Sequence, residues 1–184
     1  MYGRIARSGR ARVESGIVAA VALGVAWALK DFYRRAGFDE LRWVLAPTVR
    51  LVEWSTGSAF ELEAHHGYLS RALRFEVVPA CAGVNFLIAA FLSLSLGLLG
   101  CCQSSPARAA LLPASAAAAY GATVLANATR LTIAVRLHEA RCALGWLTPE
   151  RLHCVAGVAV YFLFLSSLFA LAARMSGARR VPAP

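Results

Sequence analysis

Apolar residues in this chain fall in long, nearly unbroken runs rather than in alternation with polar ones. Such runs cover residues 16–29, 82–100, 107–125 (with helix expected to continue to Leu137) and 154–173. A helix rises about 1.5 Å per residue, so about 20 apolar residues cross a bilayer core of ~30 Å. The first run is short for a span and borrows flanking residues such as Val13 and Phe32. Residues 41–60 read differently: Trp43, Val44, Leu51, Val52 and Trp54 are interrupted by Pro47, Arg50 and Glu53. That mixture predicts an interfacial helix rather than a span. Beyond it, Phe60-Glu61-Leu62-Glu63 and Arg74-Phe75-Glu76-Val77-Val78 alternate around His65-His66-Gly67-Tyr68, which reads as a turn. The period of two predicts a short β-hairpin outside the membrane.

The pattern therefore predicts an all-α polytopic membrane protein with about four transmembrane helices, an interfacial helix and a short extracytoplasmic β-hairpin. It forms a single membrane domain over 1–184. Its parts are a cytoplasmic basic tail (1–15), the first span and loop (16–40), the interfacial helix and hairpin (41–80), a helical core with the candidate chemistry (81–173) and a second basic tail (174–184).

Composition supports this class. The chain has 184 residues, 59% hydrophobic and 16% charged, where a soluble domain carries about a quarter charged. The net charge of +9 first suggests nucleic acid. Yet every basic residue except Lys30 is arginine, and they cluster between the runs, as Arg4, Arg7, Arg10 and Arg12 do before the first and Arg174, Arg179 and Arg180 after the last. Topology determinants and anionic-lipid contacts are distributed in this way. No aromatic-basic motif for nucleic acid accompanies them, so membrane lipid is an expected partner and nucleic acid is not. Arginines at both ends place both termini in the cytoplasm, which requires an even number of crossings. Four spans satisfy that parity; a fifth through 41–60 would break it. The N-terminal region looks like a signal peptide, but Lys30-Asp31-Phe32-Tyr33-Arg34-Arg35 follows the apolar run where a small-residue cleavage site would stand. A retained anchor is expected.

Under four spans, the loop 101–108 is cytoplasmic. The stretches before Cys81, after Arg130 and before His153 then share the outer face, and these three residues are the catalytic candidates. Cys81 opens an apolar run within Pro79-Ala80-Cys81-Ala82-Gly83-Val84-Asn85-Phe86. A helix N-terminus favours a thiolate, the nucleophilic form of cysteine. Gly83 permits close approach of a substrate backbone, and Asn85 lies one turn on. Cysteine is equally a common small residue of apolar helices. Arg130 lies in Asn127-Ala128-Thr129-Arg130, where a spacing of three puts Asn127 and Arg130 on one face. A cation in a membrane helix costs about 2.5–3.5 kcal/mol at the centre and less near an interface, so it needs a partner such as a thiolate or an oxyanion, or it snorkels to lipid headgroups. His153 follows Thr148 as a plausible N-cap and Pro149 at the first helical position. Histidine serves as general acid or base near neutral pH, though a lone interfacial histidine is more often structural.

Other candidates are weaker. The five cysteines show no paired spacing, which argues against a disulfide framework. Cys101-Cys102 faces the reducing cytoplasm, and Cys142 and Cys154 stand apart. His65-His66 do not share a face on a strand. His138-Glu139 lies beyond the expected membrane boundary. No metal and no cofactor are expected.

The order and form of three blocks resemble the exosortase/archaeosortase family of membrane-embedded transpeptidases: Ala80-Cys81-Ala82-Gly83-Val84-Asn85-Phe86, Asn127-x-x-Arg130, and His153-x-x-x-Gly157. The stretch from Leu45-Ala46-Pro47-Thr48 through Gly57 and Phe60 to Gly67-Tyr68 agrees as well, so the likeness covers most of 40–170. The short length and the Cys-Ala-Gly-Val-Asn-Phe form are most similar to the exosortase K members. The resemblance implies a multi-pass enzyme of a prokaryotic cytoplasmic (inner) membrane, with its active site facing outward. It implies exported protein substrates bearing a C-terminal sorting signal: a short Pro-Glu-Pro-type motif, a transmembrane helix and a basic cluster. Cleavage would transfer the new carboxyl end to an acceptor nucleophile of unknown identity. Cys81 would be the nucleophile, Arg130 the stabiliser of thiolate or oxyanion, and His153 the acid/base for the leaving amine. Gly83, Asn85, Asn127 and Gly157 would support the site or bind substrate. The chain lacks the extra N-terminal spans of longer relatives, so its signal and acceptor need not be the usual ones. The competing expectation is a non-catalytic integral membrane assembly or interaction subunit. A small transporter would need polar groups near mid-membrane on several helices, whereas here they gather at one face.

Overall fold

The computed structural model describes the backbone of residues 2–102, 104–140 and 149–178, with side chains over 12–102, 104–140 and 154–175. Among the described residues the elements are α1 (Tyr2–Arg35), α2 (Phe38–Thr56), β1 (Glu61–Glu63), β2 (Gly67–Ser70), β3 (Phe75–Val77), α3 (Val84–Leu99), α4 (Ser105–Glu139) and α5 (Pro149–Ala178). A 3-10 turn, Pro79–Ala82, precedes α3. Among the described residues four stretches are long and apolar enough to cross a membrane: Arg12–Arg35, Pro79–Leu99, Ser105–Glu139 and Cys154–Met175. Their outward faces carry Trp27, Val158, Phe162, Leu163 and Phe169 in exposed positions, which suits a lipid surrounding better than water.

Polar contacts at the helix ends fix the directions of the bundle. Near the start of α1, Glu14 accepts 2.8 Å bonds from Ser105 Oγ and Arg108 Nη1 at the start of α4. Near the end of α1, Lys30 donates to Asn85 in the first turn of α3 at 2.7 Å. Thus α1 and α4 run the same way and α3 opposes them. Helix α5 also opposes α4, because Tyr161 meets Asn127 while Gly157 meets Arg130. The starts of α3 and α5 and the later part of α4 therefore gather at one end, opposite the Glu14–Arg108 pair.

The interfacial helix expected over 41–60 corresponds to α2, which starts and stops earlier. Glu40 turns back to accept from the Gly37 N–H at 2.9 Å, and Gly57 ends the helix at φ +73°. Its fully buried residues Leu41, Val44, Leu45, Thr48 and Val52 recur at helical spacing. The helix does not lie flat across the bundle. Tyr120 donates to the Trp43 carbonyl and Ser55 bonds Thr132, contacts twelve residues apart on both helices, so α2 stands along α4 in the same direction. At 35 residues, α4 is about 52 Å long, more than the ~30 Å core requires. Helix α2 and the sheet cover its later turns. Pro47 within α2 supplies no N–H for the Trp43 carbonyl four residues earlier, and the Tyr120 hydroxyl fills that vacancy at 2.8 Å.

The expected β-hairpin is instead a three-stranded antiparallel sheet in the order β1-β2-β3. Gly67 and Tyr68, read as part of the turn, open the middle strand: Gly67 pairs with Glu63, and Tyr68 faces both Leu62 and Val77. A Cβ at Gly67 would meet the Val77 carbonyl at 2.5 Å, so glycine serves close strand packing there rather than a turn. The actual turns bring His65 to φ +65° and Arg74 to φ +50°. Tyr68 then packs edge-on against Phe38 with ring centroids 5.4 Å apart, which ties the sheet to α2.

Candidate functional site

Strand β3 ends at Val77 and leads within two residues into the 3-10 turn that carries Cys81. Pro79 opens that turn, and the Cys81 N–H donates to the Val78 carbonyl at 2.8 Å. Cys81 is thus not the cap of the apolar helix, as its place in the run suggested. That position belongs to Gly83, whose carbonyl accepts from Phe86 and Leu87 at 2.9 and 3.1 Å.

Gly83 is required twice over. It sits at φ +69°, and a Cβ would come within 2.9 Å of the Tyr161 hydroxyl and 3.3 Å of Asn127 Cγ. The left-handed backbone and the close approach both exclude a side chain. Glycine at this position thus also serves close packing against α4 and α5.

Asn127 is fully buried on α4, and both ends of its amide are used. Nδ2 donates to the Cys81 carbonyl, and Oδ1 accepts from the Tyr161 hydroxyl at 2.8 Å. A carbonyl can only accept, so the amino end must face Cys81 and the oxygen must face Tyr161. Three elements distant in sequence are joined through one amide.

Arg130 lies one turn beyond Asn127 on the same face of α4. Its guanidinium carbon is 5.5 Å from the centroid of the Tyr161 ring, a cation–π arrangement. Its stem passes Gly157, where a Cβ would meet Arg130 Cδ at 3.2 Å. Gly157 is buried and provides the notch that lets the stem cross α5. Nε and Nη2 of Arg130 are both buried and lack any hydrogen-bond partner among the described residues. An unmet buried donor costs about 1–3 kcal/mol. Two donors of one planar fork left in this state form a ready receptor for an anionic oxygen.

His153 occupies the first turns of α5, and its side chain lies outside the described residues, as does Cys142. Residues 153, 157 and 161 are spaced by four, so they fall on one stripe of the helix. The two described members of that stripe touch Arg130 and Asn127. Pro149 opens α5 as expected, while Thr148 is outside the described residues. Asn85 is exposed, and its side-chain oxygen accepts from Lys30, which ties it to α1 rather than to the Asn127–Tyr161 pair.

The residue that sequence reasoning missed is Tyr161. It touches Asn127, Arg130 and the Gly83 turn, and it stacks on Phe86 with centroids 5.0 Å apart. A tyrosine two turns after His153 within an apolar run carried the signal, because a hydroxyl buried there needs a partner. Among the described residues no three His, Cys, Asp or Glu side chains gather as metal ligands, and His65 is engaged by Asp39 at 2.6 Å. Comparison with known proteins supplies no relative: no family model, no curated protein and no solved structure matches this chain significantly.

Proposed function

We propose that the protein is a membrane-embedded cysteine peptidase or transpeptidase of the exosortase type, working at the end of the bundle where α3 and α5 begin. The observation that carries this reading is the pair of buried Arg130 donors with no partner among the described residues, on the face whose Asn127 holds the Cys81 turn. A cation with no counter-ion among the described residues, one helical turn from the amide that holds the Cys81 turn, suits a reaction that develops negative charge on oxygen.

In the first half-reaction the Cys81 thiol gives its proton to His153 as its sulfur attacks the scissile carbonyl and forms the C–S bond. The carbonyl oxygen takes the displaced electron pair, and Arg130 Nε–H and Nη2–H stabilise it. Collapse of this intermediate breaks the C–N bond, and His153 supplies the proton that lets the amine leave, giving a thioester on Cys81. In the second half an acceptor amine or water attacks the thioester, His153 takes its proton, and the thiol is released. The substrate is an exported protein whose C-terminal signal combines a short motif, an apolar helix and a basic cluster, as the sequence resemblance implies. Its cleavage point meets the outer face of a prokaryotic inner membrane.

The test is processing of a reporter carrying such a signal. Cys81→Ala and Arg130→Ala should each abolish processing while the protein still inserts. Normal processing by Cys81→Ala would exclude the reading and leave the alternative, a non-catalytic membrane assembly subunit in which Asn127 and Tyr161 serve packing alone.

A further inference from the structure

We propose that Tyr161 is a positioning residue for Cys81, acting through the Asn127 amide. The Tyr161 hydroxyl lies 2.8 Å from Asn127 Oδ1, and among the described residues no other donor to that oxygen is present. Removing the hydroxyl frees the amide to rotate, and the Cys81 carbonyl then loses its fixed donor. The turn that carries Cys81 is only four residues long. Its own backbone bond at Cys81 joins the N–H to Val78, so the clamp on the carbonyl side comes from α4. The Tyr161 ring contributes separately, as the surface beneath Arg130 and the partner of Phe86. One side chain thereby sets both the thiol-bearing turn and the cation.

These two contributions separate chemically. Tyr161→Phe keeps the ring under Arg130 and the stack on Phe86 but deletes the hydroxyl. A purely structural role predicts either no effect or a general loosening. A positioning role predicts a change confined to Cys81.

The inference takes its functional meaning from the thiol-transfer reading, but its test needs no substrate. Full-length protein in membranes is treated with N-ethylmaleimide, and alkylation rates of Cys81 and Cys154 are followed by peptide mass spectrometry. Cys154 is exposed near the start of α5, at the same end of the bundle, and serves as the internal reference. Tyr161→Phe should raise the Cys81 rate about fivefold and leave Cys154 unchanged. Asn127→Ala should give a similar rise, and the double variant should exceed neither single one, because both break the same linkage. A Cys81 rate within about twofold of wild type in Tyr161→Phe would overturn the proposal. So would a parallel rise at Cys154, or effects of the two substitutions that multiply. Loss of this coupling leaves the catalytic reading standing, and normal processing by Cys81→Ala leaves the coupling standing.

Discussion

Asn127 on α4 donates its side-chain amide to the backbone carbonyl of Cys81, 46 residues earlier. This bond converts two motifs separated by a helix and a loop into one structural unit. It also gives the fully buried Asn127 amino group an acceptor. Asn127→Ala strands the Cys81 carbonyl and the Tyr161 hydroxyl together. At about 1–3 kcal/mol for each unmet group, the expected loss is about 2–6 kcal/mol, read as a lower unfolding midpoint in detergent. A midpoint equal to wild type would show that the bond contributes nothing.

Gly83→Ala should be more disruptive than its one added carbon suggests. The left-handed conformation alone costs an alanine about 1–2 kcal/mol, and the new methyl would press on Tyr161 and Asn127. Loss of reporter processing together with a lowered unfolding midpoint is expected. An alanine variant as stable and active as wild type would contradict the close packing.

Arg130→Lys retains the positive charge but replaces a planar fork with a point charge. If the fork receives an oxyanion, processing should fall on the order of 100-fold with insertion unchanged. Gly157→Leu should produce a similar deficit from the other side, by filling the notch that the Arg130 stem occupies. Gly157→Ala should be milder, because the contact at 3.2 Å is with a flexible side chain.

The bond from Tyr120 to the Trp43 carbonyl makes a prediction about the fold alone. Tyr120→Phe should cost about 0.5–1.5 kcal/mol in the native chain. In a Pro47→Ala background the helix regains its own donor, and the same substitution should cost much less. Equal costs in both backgrounds, measured by unfolding in detergent, would show that Tyr120 does not stand in for the missing N–H.

The long apolar helices were legible because apolar runs of bilayer length leave few alternatives, and the end of α4 near Leu137 followed from the same continuity. The sheet was half legible. Strands β1 and β3 showed their alternation, but β2 begins with a glycine that sequence patterns assign to turns, and only its contact with Val77 reveals why glycine is there. Standing α2 along α4 depends on tertiary contacts such as Ser55 with Thr132, which no local pattern encodes. At the site, the spacing of Asn127 and Arg130 told correctly that they share a face. The link to Cys81 runs through a backbone carbonyl, which carries no sequence signal. Tyr161 was hidden for a related reason: among Val160, Phe162 and Phe164, an aromatic ring looks like one more apolar residue until its hydroxyl finds Asn127.

The most direct measurement is the search for an acyl group on Cys81 itself. Protein and sorting-signal reporter are mixed in membranes, quenched in acid and digested, and the Cys81 peptide is analysed by mass with and without hydroxylamine. A Cys81 thioester requires a hydroxylamine-sensitive adduct on Cys81 whose mass equals the reporter peptide ending at the cleavage point. Active processing with the acyl group on another residue, or with Cys81 unmodified throughout turnover, would contradict it.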